Sequence, residues 1–148
     1  MSGMFDNPPP DALGSLLTEI RADVDVADLV SGRVRGGEPA PGDAKAAGSF
    51  QAFIVIETLA DPPHPRLPVR FATFGLRCYG STFQNASEVY LAVVKAIHRV
   101  GPRRKANGLG IYWTTAVSGG EQARDPDTQQ PYVAATIELI GTTQVVPA

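Results

Sequence analysis

The stretch STFQNASEVYLAVVKAIHRVGP, residues 81–102, constrains the fold more than any other part of the chain. Phe83, Ala86, Tyr90, Val93, Ile97 and Val100 recur at spacings of 3, 4, 3, 4 and 3. That spacing puts them on one stripe of an α-helix. Glu88, Lys95 and Arg99 fall off the stripe. Ser81 is placed to cap the helix, with Gln84 three residues on as the capping-box partner. Gly101 fits the position just past the helix end, and Pro102 prevents continuation. A helix with one apolar stripe must bury it against a second layer. The preceding segment VRFATFGLRCY, residues 69–79, supplies that layer. Ala72, Phe74, Leu76 and Cys78 alternate onto one face, the plainer core face. Val69, Phe71, Thr73, Gly75, Arg77 and Tyr79 take the other.

The remaining elements arrange themselves around this pair. Leu13, Leu16, Leu17, Ile20 and Val24 form one stripe of an N-terminal amphipathic helix. The segment from Ala27 to Val34 suits either a short second helix or a first strand. Residues 36–49, GGEPAPGDAKAAGS, hold almost no large apolar residue and are expected to form a long loop. FQAFIVIETL, residues 50–59, is expected to be a strand, ended by the Pro-rich DPPHPRLP. After the long helix, residues 105–108 suit a turn, and LGIYWTTAV, residues 109–117, alternates as a third strand. SGGEQARDPDTQQ, residues 118–130, is expected to be a polar connection. YVAATIELI, residues 132–140, is a fourth strand, with Val133, Ala135, Ile137 and Leu139 on its core face. The expected fold is α+β: a two-layer, mostly antiparallel four-stranded sheet packed by one long helix, with an N-terminal helix.

The 148 residues suit a single domain spanning residues 1–148, with a frayed end over 1–9. A chain of this length buries roughly 68–70% of its unfolded surface, enough for a proper core. A net charge of −2 gives no general attraction to nucleic acid or anionic membrane. One cysteine, Cys78, allows no internal disulfide. No basic-then-apolar leader opens the chain and no apolar run approaches the roughly 20 residues that span a bilayer. A soluble, non-secreted protein without membrane contact is the expectation.

A search for chemistry finds no catalytic, cofactor or metal site. Cys78 falls mid-strand on the apolar face, where a small buried hydrophobe is the better reading. His64 sits between prolines, and His98 lies beside Arg99 at a helix end that favours cations. One cysteine and two distant histidines offer no metal-ligand spacing. Asp125 and Asp127 lack the glycine and distal glutamate of a calcium loop and are better explained by a turn around Pro126. GRVRGG and GPRRKANGLG do not match a phosphate loop. Two surface features remain as candidates. Lys95, His98, Arg99, Arg103, Arg104 and Lys105 gather at the end of the long helix. They either complement its macrodipole and line a solvated loop, or face phosphate or an acidic partner. Phe71, Arg77 and Tyr79 share the second strand face, and either Tyr112 or Trp113 points away from the helix. That face is either an interface or is covered by the N-terminal helix.

The order of these parts resembles the tail terminator and tail completion proteins of long-tailed, siphophage-type bacteriophages. The strand RFATFGLRCYG leads straight into the helix STFQNASEVYLAVVKAIH. An aromatic-bearing strand with GPRRKANGLGIYWTT follows, then the Asp–Pro–Asp turn RDPDTQQPY and the last strand YVAATIELIGTT. The likeness covers roughly residues 50–142. It implies an α+β subunit without cofactor or reaction. Such a subunit forms a homohexameric ring that caps the head-proximal end of the tail tube, ends tube polymerisation and joins the tail to the head connector; the alternatives are another head–tail connector or minor tail protein, or a small ligand or nucleic-acid binding module. The implied partners are further copies of the chain, the tail tube protein, the connector and DNA passing non-specifically through the channel. The implied location is the head–tail junction of the virion, with assembly in the host cytoplasm.

Overall fold

A computed structural model of the chain describes residues 12–46, 48–60, 69–99, 103–106 and 109–142. For 12, 15, 46, 69, 70, 99, 103–106, 109–116 and 140–142 it describes the backbone alone. In chain order the elements are α1 (Ala12–Ala22), α2 (Val24–Val30), β1 (Val34–Gly36), β2 (Lys45–Ala46), β3 (Ser49–Phe50), β4 (Phe53–Ala60), β5 (Val69–Tyr79), α3 (Phe83–Arg99), β6 (Arg103–Ala106), β7 (Leu109–Arg124) and β8 (Pro131–Thr142). The main sheet runs β1-β4-β5-β8-β7-β6. Every pair in it is antiparallel except β1 with β4.

The α+β two-layer architecture is as expected, and so are the antiparallel pairings of β4 with β5 and of β7 with β8. Two short edge strands, β1 and β6, raise the four expected strands to six. The face of β5 carrying Ala72, Phe74, Leu76 and Cys78 is buried. It packs with Ile54 and Ile56 of β4 and Ile137 and Leu139 of β8 beneath Val89, Val93 and Ile97 of α3. Leu16 and Ile20 of α1 and Val26 and Val30 of α2 join the same cluster. Burying a Val, Leu, Ile or Phe side chain contributes ~1.5–3 kcal/mol relative to exposure, so this face holds most of the stabilising burial. The N-terminal helices therefore lie beside α3 and do not cover the second sheet face.

Several sequence expectations change in detail, each for a local reason. The N-terminal stripe does not continue to Val24, which is 68% exposed. Asp23 stops α1 and caps α2, its side chain accepting from the Asp25 and Val26 N–H groups. The stripe restarts out of phase, on Val26 and Val30. Both alternatives for Ala27 to Val34 are partly right. The helix ends at Ser31 and Gly32 in left-handed backbone (φ 50° and 80°), and the edge strand starts at Val34. The strand expected over residues 50–59 begins at Phe53, because Ser49 and Phe50 pair with Ala46 and Lys45 in a separate ribbon. The expected loop 36–49 thus contains a small hairpin. The α3 cap is Thr82 rather than Ser81. Thr82 Oγ1 accepts from the Asn85 N–H at 3.1 Å, and Asn85 Oδ1 accepts in return from the Ser81 N–H at 2.9 Å. Gln84 has no such part, because the cap stands one residue later.

The largest change is in β7, which continues through SGGEQAR to Arg124 instead of ending at Val117. Its polar residues pair with β8 at the exposed edge side, where burial places no apolar demand on them. Gly119 and Gly120 (φ 98° and 102°) form a bulge there. The connection shrinks to the Asp–Pro–Asp turn, in which Asp125 Oδ1 accepts from the Asp127 and Thr128 N–H groups at 2.9 and 3.1 Å. Of the stretch expected as a turn over 105–108, Lys105 and Ala106 belong to β6, which pairs Arg103 with Tyr112 and Ala106 with Leu109, and 107–108 lie outside the described residues.

Candidate functional site

Helices occupy one face of the sheet, so any surface built by the sheet itself lies on the other. The strand registers place that face in rows. Phe53, Tyr79 and Tyr132 form one row and Val55, Arg77 and Ala134 the next. Glu57, Gly75 and Thr136 come third, followed by Thr73 with Glu138 and by Phe71 at the far end. The two halves of the face differ in kind.

The first half is closed by the chain itself. Phe53 and Tyr79 stack with ring centroids 4.3 Å apart and planes 6° from parallel, and Tyr132 follows at 5.0 Å. Ala44, from the 37–52 excursion, packs on this cluster. Arg77 donates to the Tyr79 hydroxyl at 2.9 Å. Burial raises the Tyr79 hydroxyl above its ordinary range, opposed by the Arg77 charge. Tyr79 is 4% exposed, so this aromatic is part of the chain's own packing and not the exposed ring expected from alternation.

An ion pair holds the excursion in place. Arg35 Nε donates to Asp43 Oδ2 at 3.0 Å and a terminal guanidinium nitrogen donates to Oδ1 at 3.2 Å. The Ala40 N–H adds a third bond to Oδ2 at 2.6 Å. Burial alone would raise the Asp43 carboxyl. The Arg35 hydrogen bond, the Ala40 N–H and the charges of Arg35 and Arg33 outweigh it and hold the group below the ordinary range. A carboxyl depressed in the fold stabilises above its unfolded pKa, and the contribution is lost as pH falls through the folded value. Asp43→Asn is therefore expected to cost ~1–3 kcal/mol at neutral pH. Its deficit should start to shrink as pH falls below the unfolded carboxyl value of about 4 and vanish only below the lower folded value, as thermal melts across pH would measure. An equal deficit at every pH would refute the charge-based account.

The second half of the face is open. Leu59 is 56% and Phe71 49% exposed, and Glu57 and Glu138 are exposed beside them. A Cβ on Gly75 would stand 3.4 Å from Glu57 Cγ and 3.6 Å from Leu59 Cδ1. These two side chains thus lie across the bare backbone of Gly75. Among the described residues the ion pair is Arg35–Asp43, which leaves Glu57 and Glu138 without a cation partner there.

The other layer presents a second surface. Glu88, Leu91, Lys95 and His98 share the outward stripe of α3 and are exposed, Leu91 at 55%. The candidate residues therefore divide. Lys95 stands on the helix layer and Arg77 on the sheet layer, while Tyr79 is buried. The side chains of Arg99, Arg103, Arg104, Lys105 and Trp113 lie outside the described residues, as does His64. Phe53, Tyr132, Arg35 and Asp43 were missed as participants. The Tyr79–Tyr132 pairing comes from the antiparallel register of β5 with β8, which are not consecutive strands, so no hairpin signal announces it. Arg35 and Asp43 are eight residues apart with no periodic signal to connect them.

Cys78 is fully buried in the helix-side core, and burial pushes its thiol well above the ordinary range. Among the described residues, no group of three or more His, Cys, Asp or Glu side chains could hold a metal ion. No helix among them is long and apolar enough to cross a membrane.

No protein-family model matches the chain, and no curated protein matches it. Solved structures do. A chain of the virion of a native gene transfer agent particle superposes with a TM-score of 0.64 at 14% identity, covering 88% of this chain and 94% of that one. A second solved structure superposes with a TM-score of 0.53 at 9% identity, covering 89% and 94%. At these identities the likeness is one of fold, and it runs nearly end to end in both.

Proposed function

We propose that this chain is a virion structural protein of a tailed bacteriophage or phage-like particle, and within that class a tail terminator. In this reading six copies form a ring at the head-proximal end of the tail tube, end tube growth and join the tail to the head connector. The partners are then the tail tube protein, the connector and DNA in transit. The chain carries out no reaction and uses no cofactor. It assembles in the host cytoplasm and resides at the head–tail junction.

The observation that carries the reading is the fold shared with the gene transfer agent virion chain over 88% of this chain and 94% of that one. It agrees with the order of strand, helix, aromatic strand and Asp–Pro–Asp turn by which the sequence resembles terminators. The surfaces suit assembly as well, since each layer exposes large apolar residues: Leu59 and Phe71 on the sheet, Leu91 on α3.

The test is mass photometry and negative-stain imaging of the purified full chain, alone and mixed with tail tubes. Hexameric rings seated on one end of the tubes are the expected result. A protein that stays monomeric and never caps a tube would overturn the terminator reading. Rings that bind the head connector but not tubes would move it to the connector.

A further inference from the structure

We infer that the open stretch of the β4 edge, residues 57–60, is the docking site for residues 2–7 of a neighbouring copy, added there as a short extra strand. The inference rests on the ring reading and names a contact that would link its subunits.

The edge itself is the first observation. β1 pairs with β4 only as far as Gly36 with Ile56. Burial along β4 changes at that point: Phe53, Ile54, Val55 and Ile56 are buried, and Glu57, Thr58, Leu59 and Ala60 are exposed. Among the described residues, β4 therefore has no neighbour beyond Ile56 on the side away from β5. The Ile54 N–H donates to the Arg33 carbonyl, and the Ile56 carbonyl accepts from the Gly37 N–H, both at 2.9 Å. Backbone groups alternate sides along a strand, so the N–H and C=O of Thr58 face the same way, past the end of β1. The chain closes the outer side of β1 with its own bonds. The Val34 N–H donates to the Gly32 carbonyl at 2.8 Å, and the Gly36 carbonyl accepts from the Glu38 N–H at 3.1 Å. The Val34 carbonyl accepts from Arg21 Nε at 3.1 Å. An unpaired edge is a template for another strand, and the bulge between Thr58 and Ala60 confines it to a short one.

The second observation is where the chain enters. Arg21, near the end of α1, reaches Val34 at the start of β1. Leu17 Cδ1 and Leu13 Cδ2 would stand 3.2 and 3.4 Å from a Cβ on Gly36, at the end of β1. α1 therefore runs antiparallel to β1, and its first turn lies level with the place where the β4 edge opens. Residues 1–11, outside the described residues, join the fold there.

The third is what that segment contains. Pro8, Pro9 and Pro10 have no N–H to give a sheet. A proline run favours the stiff polyproline form, a spacer of about 9 Å over three residues. Residues 2–7, SGMFDN, contain no proline and can pair. Met4 and Phe5 are consecutive, so in a strand they take opposite faces. The open edge offers an apolar neighbour on each face. Leu59, 56% exposed, lies over Gly75 on the sheet side, and the partly buried Leu13 lies on the helix side. A neighbour's segment is the occupant because the chain's own would have to double back. The spacer carries residues 2–7 past the start of α1, and Asn7, ahead of Pro8, is biased to extended backbone, against a tight reversal. A segment of one copy on the edge of the next is strand addition through a heterologous contact, the kind that builds rings.

The test compares the full chain with its variants by mass photometry and disulfide capture. Thr58→Pro removes the outward N–H, a change an edge strand tolerates. That substitution and deletion of residues 1–7 are each expected to weaken assembly by at least about tenfold. Combining them is expected to cost no more than either alone, since both remove one interaction. For capture, Leu59→Cys copies are mixed with Met4→Cys or with Phe5→Cys copies, with oxidised glutathione as the oxidant. Cys78 is fully buried and takes no part. One mixture and not the other is expected to give disulfide-linked pairs, because Met4 and Phe5 would face opposite ways. Rings without any disulfide between copies, or parent-like assembly after the deletion, would overturn this docking site and leave the ring reading intact. So would a chain carrying both cysteines that links only to itself, which would give the edge to its own segment. A parent chain that never oligomerises would overturn both.

Discussion

Gly80→Ala is expected to abolish folding of the domain. A Cβ at Gly80 would stand 2.3 Å from the Ala86 nitrogen, 2.8 Å from its Cα and 2.9 Å from the Asn85 carbonyl carbon. All three are backbone atoms in the first turn of α3, so no side-chain rotation can relieve the overlap. Relief requires moving α3 away from β5, and Ala86, Val89 and Val93 on that helix are buried against the sheet. Gly80 is also pinned from the opposite side, because its N–H donates to the Pro131 carbonyl at 3.1 Å. Overpacking a core side chain costs ~1–3 kcal/mol. A backbone collision that separates two layers exceeds that, and about 5 kcal/mol suffices to unfold a domain of ordinary stability. Circular dichroism and hydrogen exchange should show a protein without protected amides. A cooperative melt within a few degrees of the parent would mean that α3 can start elsewhere.

The same region shows how much of the fold is legible in the sequence. The α3 stripe is legible because its 3–4 spacing persists over five turns and Gly101 and Pro102 punctuate it. The alternation of β5 is legible because one face is wholly apolar. Gly80 reads only as a strand end. That a helix backbone passes within touching distance of it is a tertiary fact with no local sign. The extension of β7 is invisible for a related reason. Ser118 to Arg124 bury nothing of their own, and their strand state comes from β8, whose pattern is clear. Short elements fare worst. β2 and β3 have two residues each, too few for any period, and they sit between the Arg35–Asp43 pair and the Gln51 bonds to Ala44 and Gly42. The candidate surface divides along the same line. Lys95 is off the helical stripe by spacing alone and is exposed, whereas Tyr79, on the polar side of its strand by spacing, is buried by the excursion that covers it. Alternation identifies a face. It does not say which part of that face the rest of the chain will close.

Gln130→Glu is the second substitution expected to be severe, and its effect should depend on pH. Gln130 is fully buried where three chain segments meet. Its Nε2 donates to the Gln51 carbonyl at 2.9 Å, ahead of β4, and to the Gly80 carbonyl at 3.3 Å, at the end of β5. Those two acceptors fix the amide orientation, and Oε1 has no hydrogen-bond partner among the described residues. A glutamate keeps the shape and removes both donors. Ionised, it would set a buried charge against two carbonyl oxygens, a loss of the ~3–5 kcal/mol kind seen when a buried charge is left uncompensated. Protonated, it could still donate one of the two bonds. The folded pKa of the new carboxyl must then lie above its unfolded value of about 4.3. A group raised in this way binds more protons folded than unfolded between those two values, so the variant loses stability as pH rises through that window. Thermal melts should place Gln130→Glu near the parent at pH 4 and far below it at pH 7. Gln130→Met should show no such pH dependence, because it lacks the carboxyl. A glutamate variant with the parent's stability at neutral pH would mean that the three segments are held together by apolar packing alone. The Gly80 corner would then owe its rigidity to the close approach of α3 and not to this buried amide.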